Sequence, residues 1–245
     1  MRRVGPVNFD PAPVRERMDM VAIRREGFSY IVGLAIIATI VSIASSFFAT
    51  PALQIVTIIT WVLVVLVINF FRDPERVTPA EKDCLIAPAD GKVIDVRTVR
   101  EDNYLHAEVS RISIFMSVFD VHVNRAPLSG EVDHLEHHPG KFVAAFREDA
   151  SGDNEHLDIG FLSVRVNEKG EAVHRVLITL IAGYIARRIL FFRQLHDRVQ
   201  QGERIGMIKF GSRVEVYLTA EWEVAVEKGQ RVRAGETVVG RLRKA

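Results

Sequence analysis

Two long apolar stretches occupy most of the first third of the chain. No residue between Phe28 and Phe71 is charged, and Ala49-Thr50-Pro51 separates the run Phe28 to Phe48 from the run Ala52 to Phe71. About 20 apolar residues suffice for a helix to cross a bilayer, and proline breaks a helix. The pattern therefore predicts a transmembrane helical hairpin over residues 28–71. A re-entrant hairpin and the buried hairpin of a soluble protein are the alternatives.

Both flanks of the predicted hairpin are basic. A hairpin returns the chain to the side from which it started, and positive flanks face the cytoplasm. We therefore expect a cytoplasmic N-terminal segment, residues 1–27, and a cell-membrane location with the rest of the chain on the cytoplasmic side. The apolar run is about twice as long as a signal-peptide core, which argues against a cleaved signal. The arginines concerned are Arg15, Arg17, Arg24, Arg25, Arg72 and Arg76.

Beyond Phe71 the pattern changes to short alternating runs. Residues 72–84 form a polar, proline-containing linker, and residues 85–245 hold β-rich runs separated by turn residues. Only Gly183 to His196 has a helical pattern, within which the arginine-rich stretch Ile185 to Arg193 suits either a membrane contact or the core. We therefore expect a mostly β (α+β) domain. The predicted strands are Lys92–Val99, Arg111–Val118, Gly130–Leu135, Ile159–Val166, Val173–Ile181, Ile205–Ile208, Val214–Leu218 and Arg231–Leu242.

One short pattern occurs twice. Arg198 to Glu203 and Arg231 to Glu236 both read R-V-x-x-G-E, and an apolar strand follows each. A glycine turn that feeds a short hairpin strand is typical of lipoyl- and biotinyl-type β-sandwiches. The repeat predicts a β-sandwich-like domain with lipoyl-type hairpin corners.

The amino-acid composition argues against several kinds of site and partner. The chain has 32 Lys and Arg against 31 Asp and Glu, so no basic field favours nucleic acid as a partner. Cys84 is the single cysteine, which excludes an internal disulfide and a zinc cluster of cysteines.

A Gly-Ser pair interrupts the apolar runs near the C-terminus. Gly211-Ser212 lies between the strand Ile205 to Ile208 and the strand Val214 to Leu218. Such a pair forms a β-bulge or a tight turn in many proteins. The other interpretation is that the Ser212 hydroxyl is an internal nucleophile aimed at the Gly211 carbonyl carbon.

Two other polar positions can serve a nucleophilic serine. Asp90 stands on a Pro/Gly turn that enters a strand, where a carboxylate either stabilises the turn or orients an imidazole. Asp120, His122 and Asn124 alternate with valines and share one face of an extended chain. That face is either solvated or presents His122 as a general base.

A histidine cluster invites a metal interpretation. His134, His137 and His138 stand close to Asp133 and Glu136, but their spacing matches no helical H-E-x-x-H site. No clear distant ligand completes the cluster. We therefore predict a solvated loop and no metal site.

Several motifs together resemble the phosphatidylserine decarboxylases. Pro88 to Gly91, Phe119 to Pro127, Asn154-Glu155, Ala182-Gly183 and Phe210 to Ser212 occur in the order and approximate spacing of that family. The resemblance covers about Arg72 to Ala245 and is closest to the shorter bacterial and archaeal type.

The resemblance implies a proenzyme that cleaves itself between Gly211 and Ser212. The products are a β chain, residues 1–211, and an α chain, residues 212–245, whose first residue becomes a pyruvoyl group. The implied reaction decarboxylates phosphatidylserine in the bilayer to phosphatidylethanolamine. The pyruvoyl ketone condenses with the substrate amine and accepts the electrons left by CO2, so no metal or diffusible cofactor is needed.

The resemblance also implies residue roles. Asp90 is the acid that orients the base for self-cleavage, and His122 is the histidine nearest the serine. Larger relatives have a second histidine three positions later, where this chain has Arg125. Either His122 serves both maturation and decarboxylation, or Arg125 binds the substrate carboxylate or phosphate, with Asn124 and Lys209 as further substrate-binding candidates.

Other functions remain open on the sequence alone. The R-V-x-x-G-E corners suit a membrane-tethered lipoyl-like adaptor or carrier module, and the apolar tails of an archaeol-type serine lipid suit the same decarboxylase chemistry. A metal-dependent hydrolase is the third alternative, built on His134 to His138. Exposed strand edges predict a homodimer.

Overall fold

The computed structural model describes residues 22–81, 83–140, 154–167, 170–183, 189–209 and 212–243. Two helices lead into a β-rich domain, which confirms the mostly β prediction. Helix α1 is Arg25–Phe48 and helix α2 is Pro51–Phe70. The short strands β1 (Ala22–Ile23) and β2 (Arg72–Asp73) pair with each other and close the base of the hairpin.

The turn between the helices follows from its residues. Ala49 ends α1 in the left-handed conformation, with φ 49°. The Thr50 hydroxyl accepts a hydrogen bond from the Leu53 amide at 3.4 Å, and Pro51 occupies the first turn, where its missing amide hydrogen costs nothing. Each helix is long and apolar enough to cross a membrane, and most of its apolar surface is exposed.

The base of the hairpin is packed tightly. Phe71 is fully buried, and its ring stacks on Tyr30 of α1 with 5.8 Å between centroids. A Cβ atom added at Gly27 would lie 2.4 Å from Cγ of Phe71, so glycine at this position lets α1 approach the aromatic ring. The hairpin is therefore joined firmly to the chain that leaves it.

Fourteen further strands occur in the described part of the chain, in three antiparallel sheets. The large sheet has the order β11-β7-β8-β9-β13-β5-β4-β15, and the small sheets have the orders β10-β12-β6 and β14-β16-β3. The strands are β3 (Cys84–Ile86), β4 (Gly91–Glu101), β5 (Ala107–Met116), β6 (Val123–Arg125), β7 (Gly130–His138), β8 (His156–Asn167), β9 (Gly170–Ala182), β10 (Ile189–Phe191), β11 (Arg198–Val199), β12 (Arg204–Ile208), β13 (Ser212–Leu218), β14 (Trp222–Val224), β15 (Arg231–Val232) and β16 (Val238–Leu242).

The helix predicted over Gly183 to His196 is wrong where the structure describes it. Ile189–Phe191 forms β10, which pairs with Gly206 to Ile208 of β12. Tertiary pairing of a β-branched and aromatic run has outweighed a helical pattern. Residues 184–188, which include Arg187 and Arg188 of the arginine-rich stretch, lie outside the described part.

Two halves of the β-domain repeat one arrangement of strands. In the large sheet, β11-β7-β8-β9 on one side of the centre matches β15-β4-β5-β13 on the other, and the small sheets correspond in the same way. One half therefore consists of β6 to β12. The other combines β3 to β5 with β13 to β16.

The repetition is also present in the sequence. Ala87 to Val93 leads into β4 and Ala126 to Val132 leads into β7, and both read A-P-x-x-G-x-V. The two R-V-x-x-G-E segments pair with them, Val232 with Gly91 and Val199 with Gly130. Asp90 in one half corresponds in position to Ser129 in the other, so the halves differ at a candidate site residue.

The main core lies on one face of the large sheet. Ile114, Val214, Leu180 and Ile159 are fully buried there, among other apolar side chains. The next residues along the same strands face the other way and are polar: Arg213 and Glu215 are buried and form an ion pair. Alternation along β13 therefore places Ser212 on the apolar face and Arg213 on the polar face.

Candidate active site

Ser212 is the first residue of β13, at the centre of the large sheet. It lies opposite Met116 of β5 and Ala182 of β9, and it is fully buried. Its hydroxyl donates to the Met116 sulfur at 3.2 Å, a weak acceptor that leaves the oxygen lone pairs available. The predicted partner in cleavage, Gly211, lies outside the described residues.

His122 is a buried imidazole in a defined tautomer. Its Nδ1 lies 2.9 Å from the Asp120 backbone oxygen, which only accepts, so Nδ1 carries the hydrogen. Nε2 is buried and has no hydrogen-bond partner among the described residues. Burial lowers the pKa of His122 to about 4. The site therefore holds a neutral histidine with a free Nε2 lone pair at neutral pH.

Backbone hydrogen bonds connect His122 with the segment that leads to Ser212. The Ile208 amide donates to the His122 carbonyl at 3.3 Å, and Val123 pairs with Met207 in β12. Since β12 ends at Ile208, the chain passes His122 only four positions before the serine. The His122 backbone thus contacts the strand that precedes Ser212 in the chain.

Asp90 lies in the neighbouring turn, but both of its oxygens are occupied. Oδ1 accepts from the Ala234 amide at 2.7 Å, and Oδ2 accepts from Arg76 at 2.9 Å. Burial raises the pKa of Asp90, and the Arg76 charge opposes that effect. The atom that orients the His122 ring is the Asp120 carbonyl oxygen, which differs from the expectation for Asp90.

Asp120 closes a turn instead of continuing a strand. Its Oδ2 accepts from the amide and the hydroxyl of Ser117, at 2.8 and 2.7 Å. Strand β6 begins only at Val123, so Asp120, His122 and Asn124 do not share one extended face as predicted. The turn leaves Val118 and Phe119 exposed at its tip.

Arg125 is held inside the fold. Its guanidinium donates to the Gly202 carbonyl at 3.0 Å and to Pro74 at 2.9 Å, and it pairs with Asp73 at 3.2 Å. Only 5% of the residue is exposed. These contacts give the arginine a structural part in joining the hairpin base to the β-domain.

The other two proposed substrate-binding residues have different surroundings. Asn124 is fully buried, with its amide nitrogen 3.5 Å from the Pro88 carbonyl oxygen. Lys209 places its ammonium 5.1 Å from the ring centroid of Tyr30, on α1. Lys209 therefore stands next to the hairpin.

The Asn154 and Ala182 motifs meet beside the serine. Asn154 is buried and donates to the Ala182 carbonyl at 2.7 Å, and Ala182 is the strand partner of Ser212. Sequence reasoning gave neither residue a task. Their shared contact supports the strand end on which Ser212 lies.

The histidine cluster lies on β7 and not in a loop, so that part of the prediction is wrong. Across the strand pair, His138 stacks on His156, with ring centroids 4.5 Å apart and planes 16° apart, and its Nε2 lies 3.3 Å from Asp158. A metal ion must lie in the plane of each imidazole that binds it. Two nearly parallel stacked planes do not meet at one ion, so this geometry favours a histidine stack beside a carboxylate.

Known proteins resemble the chain over nearly its whole length. The family model described as phosphatidylserine decarboxylase matches residues 63–240. A phosphatidylserine decarboxylase proenzyme of Carboxydothermus hydrogenoformans is 41% identical over 220 residues, which cover 89% of this chain and 96% of the relative. Proenzymes of the same name from Symbiobacterium thermophilum and Desulfotalea psychrophila are 44% and 40% identical, covering 74% and 91% of this chain and 80% and 97% of their own lengths. The chain belongs to the phosphatidylserine decarboxylase family.

Proposed function

We propose that this protein decarboxylates phosphatidylserine to phosphatidylethanolamine, through a pyruvoyl group that it makes from its own Ser212. The observation that supports this most directly is the buried Nε2 of His122, which has no hydrogen-bond partner among the described residues and belongs to a residue whose backbone contacts the segment before Ser212. A neutral base with a free lone pair is what a serine hydroxyl needs to become a nucleophile.

Self-cleavage begins with proton transfer from the Ser212 hydroxyl to Nε2 of His122. The oxygen attacks the Gly211 carbonyl carbon, and the amide nitrogen leaves as the amine, so an ester replaces the peptide bond. Elimination across Cα and Cβ of Ser212 then breaks the ester C–O bond and releases Gly211 as a carboxylate. One water molecule replaces the remaining nitrogen, which leaves as ammonia.

The residues around Ser212 fit a pyruvoyl group. A three-carbon group at the start of β13 is small enough for the space beside Met116, and its backbone stays between β5 and β9. The group supplies a ketone that condenses with the substrate amine and accepts the electrons of the departing carboxylate. We infer that Nε2 of His122 accepts a proton from the substrate ammonium group when that amine reacts and later delivers it to the product carbon, while burial excludes water.

The hairpin serves a substrate that stays in a bilayer. We propose that residues 28–71 span the membrane and that the domain of residues 85–245, reached through the linker 72–84, works at the cytoplasmic surface. Two exposed apolar helices support this placement. The lipid then meets the site without its tails being drawn into water. The β-sandwich description of the domain and its assembly as a homodimer are further parts of the proposal.

Mass spectrometry of the purified, active protein tests this function. We expect an α chain that starts at residue 212, is blocked to Edman degradation, and is lighter by one ammonia than the fragment simple hydrolysis would give. Ser212→Ala should remain uncut and should not decarboxylate phosphatidylserine. Ser110→Ala, at the other end of β5, is the matched control and should cleave normally. An active preparation that contains only the intact chain of 27.6 kDa would refute the proposal.

A further inference from the structure

Arg72 is the first residue of β2, two positions beyond the end of α2. Its guanidinium donates to the Asn69 carbonyl at 2.6 Å and to the Phe119 carbonyl at 2.7 Å. Both acceptors are neutral. Among the described residues, no carboxylate lies within ion-pair distance of Arg72, so no ion pair with those residues neutralises its charge.

The neighbouring arginines are in a different state. Arg24 pairs with Glu26 and Asp73, and Arg76 pairs with Asp90 and Glu236. Arg125 and Arg204 both pair with Asp73. Each of these four arginines thus has a carboxylate partner, whereas Arg72 is available for an anion from outside.

Arg72 also stands beside the candidate base. Phe70, two positions earlier, places its ring 4.2 Å from the His122 ring, and Phe119, which Arg72 contacts, precedes His122 by three positions. The positive charge lies close enough to lower the pKa of both His122 and Asp90. A ligand anion held by Arg72 would therefore be next to the reacting atoms.

The height of Arg72 relative to a membrane indicates which anion it meets. A basic residue just beyond a transmembrane helix lies at the level of the lipid phosphates. Val118 and Phe119, 41% and 64% exposed, stand on the adjacent turn and offer apolar contacts to the upper part of the acyl chains. A bilayer lipid on this surface would bring its phosphodiester to the guanidinium.

The substrate has a second anion, the carboxylate, but the chemistry argues against it as the partner of Arg72. The carboxylate loses its charge as CO2 leaves, so a cation bound to it would stabilise the ground state more than the transition state. The phosphodiester keeps its charge throughout, and a fork of guanidinium donors can hold it without slowing the reaction.

We propose that Arg72 is the residue that binds the phosphodiester of the lipid headgroup, at the membrane surface beside His122. This inference rests on the proposed function and adds a binding residue to it. The contact fixes the headgroup so that its serine moiety reaches the start of β13.

The experiment compares mature wild-type protein with Arg72→Gln and Arg72→Lys in mixed micelles of phosphatidylserine. We expect Arg72→Gln to raise KM by about tenfold, the loss of one charge-assisted contact, with kcat and the extent of self-cleavage unchanged. Arg72→Lys, which keeps the charge, should recover much of the affinity. Arg100→Gln removes an exposed arginine that pairs with Asp102 at the far end of β4 and should change nothing.

Calorimetry with soluble analogues identifies the anion without using turnover. Both analogues contain a glycerol phosphodiester. The first carries neither an amine nor a carboxylate, and the second carries a carboxylate but no amine. Arg72→Gln should weaken binding of both to the same degree. A loss confined to the carboxylate analogue would overturn the proposal.

Three other results would also overturn it: an unchanged KM in Arg72→Gln, a Lys variant as weak as the Gln variant, or loss of self-cleavage in Arg72→Gln, which would place Arg72 in maturation. Failure of the wild type to form phosphatidylethanolamine would instead refute the proposed function. The two failures are therefore distinguishable.

Discussion

His122 owes its neutral state mainly to burial, and the positive charge of Arg72 contributes in the same direction. The Asp120 carbonyl fixes one ring nitrogen, and Phe70 covers the ring at 4.2 Å. Both contacts come from backbone or apolar groups, neither of which stabilises an added proton strongly enough to offset the loss of hydration. His122 is therefore available as a neutral base, and its burial makes the folded protein less stable in acid.

The pH dependence of stability measures that cost. The folded pKa of His122, about 4, lies below its value in an unfolded chain, about 6.5, so the unfolded state takes up the proton first as the pH falls. His122 should therefore reduce the free energy of unfolding between pH 6.5 and pH 4, by about 2 kcal/mol from pH 7 to pH 5. Below pH 4 its effect should be constant.

Denaturant unfolding of uncut protein checks this prediction. Ser212→Ala keeps the chain whole and is compared with the double variant that adds His122→Gln. The single variant should lose more stability between pH 7 and pH 5 than the double variant does. Equal losses in the two proteins would show that His122 is not the buried titrating group.

The sequence motifs were enough to predict which residues belong to the candidate site. The roles of those residues depended on contacts between parts of the chain that are far apart in the sequence. The motifs around Ser212 and His122 were visible as polar positions among apolar runs. The partner that orients His122 is a backbone carbonyl, which no side-chain pattern reveals. Arg125 meets Asp73 across a separation of 52 positions, so its structural task required the folded chain.

At the level of elements, the alternation of apolar and polar residues predicted the presence of strands better than it predicted the residues at which they end. The run Arg231 to Leu242 divides into β15 and β16 at Gly235, where φ is 81°. The predicted strand ending at Val118 stops at Met116, because Ser117 and Asp120 form a turn. The two R-V-x-x-G-E segments form matching corners, each with a glycine in the left-handed region.

Gly202, the corner glycine of the first R-V-x-x-G-E segment, gives a prediction for an element. Its φ is 82°, and an added Cβ would lie 2.0 Å from the Thr78 hydroxyl. Gly229 has φ 98°, but a Cβ atom added there would have no neighbouring atom within 4 Å. Alanine at either position must adopt a positive φ, which lowers the free energy of unfolding by about 1–2 kcal/mol. Only Gly202→Ala adds a steric clash, which lowers it by roughly 1–3 kcal/mol more.

Thermal unfolding of the two variants separates the effect of backbone strain from the effect of the steric clash with Thr78. Gly202→Ala should have the lower melting temperature, and Gly229→Ala should lie between it and the parent protein. Adding Thr78→Ala to Gly202→Ala should restore part of the loss. Equal melting temperatures for the two glycine variants would show that the contact with Thr78 is unimportant.

At the scale of the whole molecule, the strands of the proposed α chain, residues 212–245, are distributed among those of the proposed β chain, residues 1–211. Strand β13 pairs with β5 on one side and β9 on the other, and β15 and β16 pair with β4 and β3. The fully buried side chains of Val214, Val216 and Val239 join the common core. No contact within the 34-residue α chain alone could provide such burial.

We therefore expect the α and β chains to remain together after cleavage, without a covalent bond. Size-exclusion chromatography in mild detergent should elute both chains in one peak at all salt concentrations, because burial and backbone pairing hold them. They should separate only in denaturant, and after its removal the α chain alone should show no β-sheet signal by circular dichroism. Release of the α chain by high salt alone would contradict this view.

The repeated halves of the β-domain suggest a reason for the position of the proposed cut. Strands β6 to β12 form one half as a continuous insertion between β5 and β13 of the other, so the chain returns to its first half at Ser212. The proposed cut precedes Ser212, the first described residue of β13, and so lies where the chain passes from one structural unit to the other. We therefore expect the described strands of each half to keep their pairing when the chain uses this peptide bond to make the proposed prosthetic group.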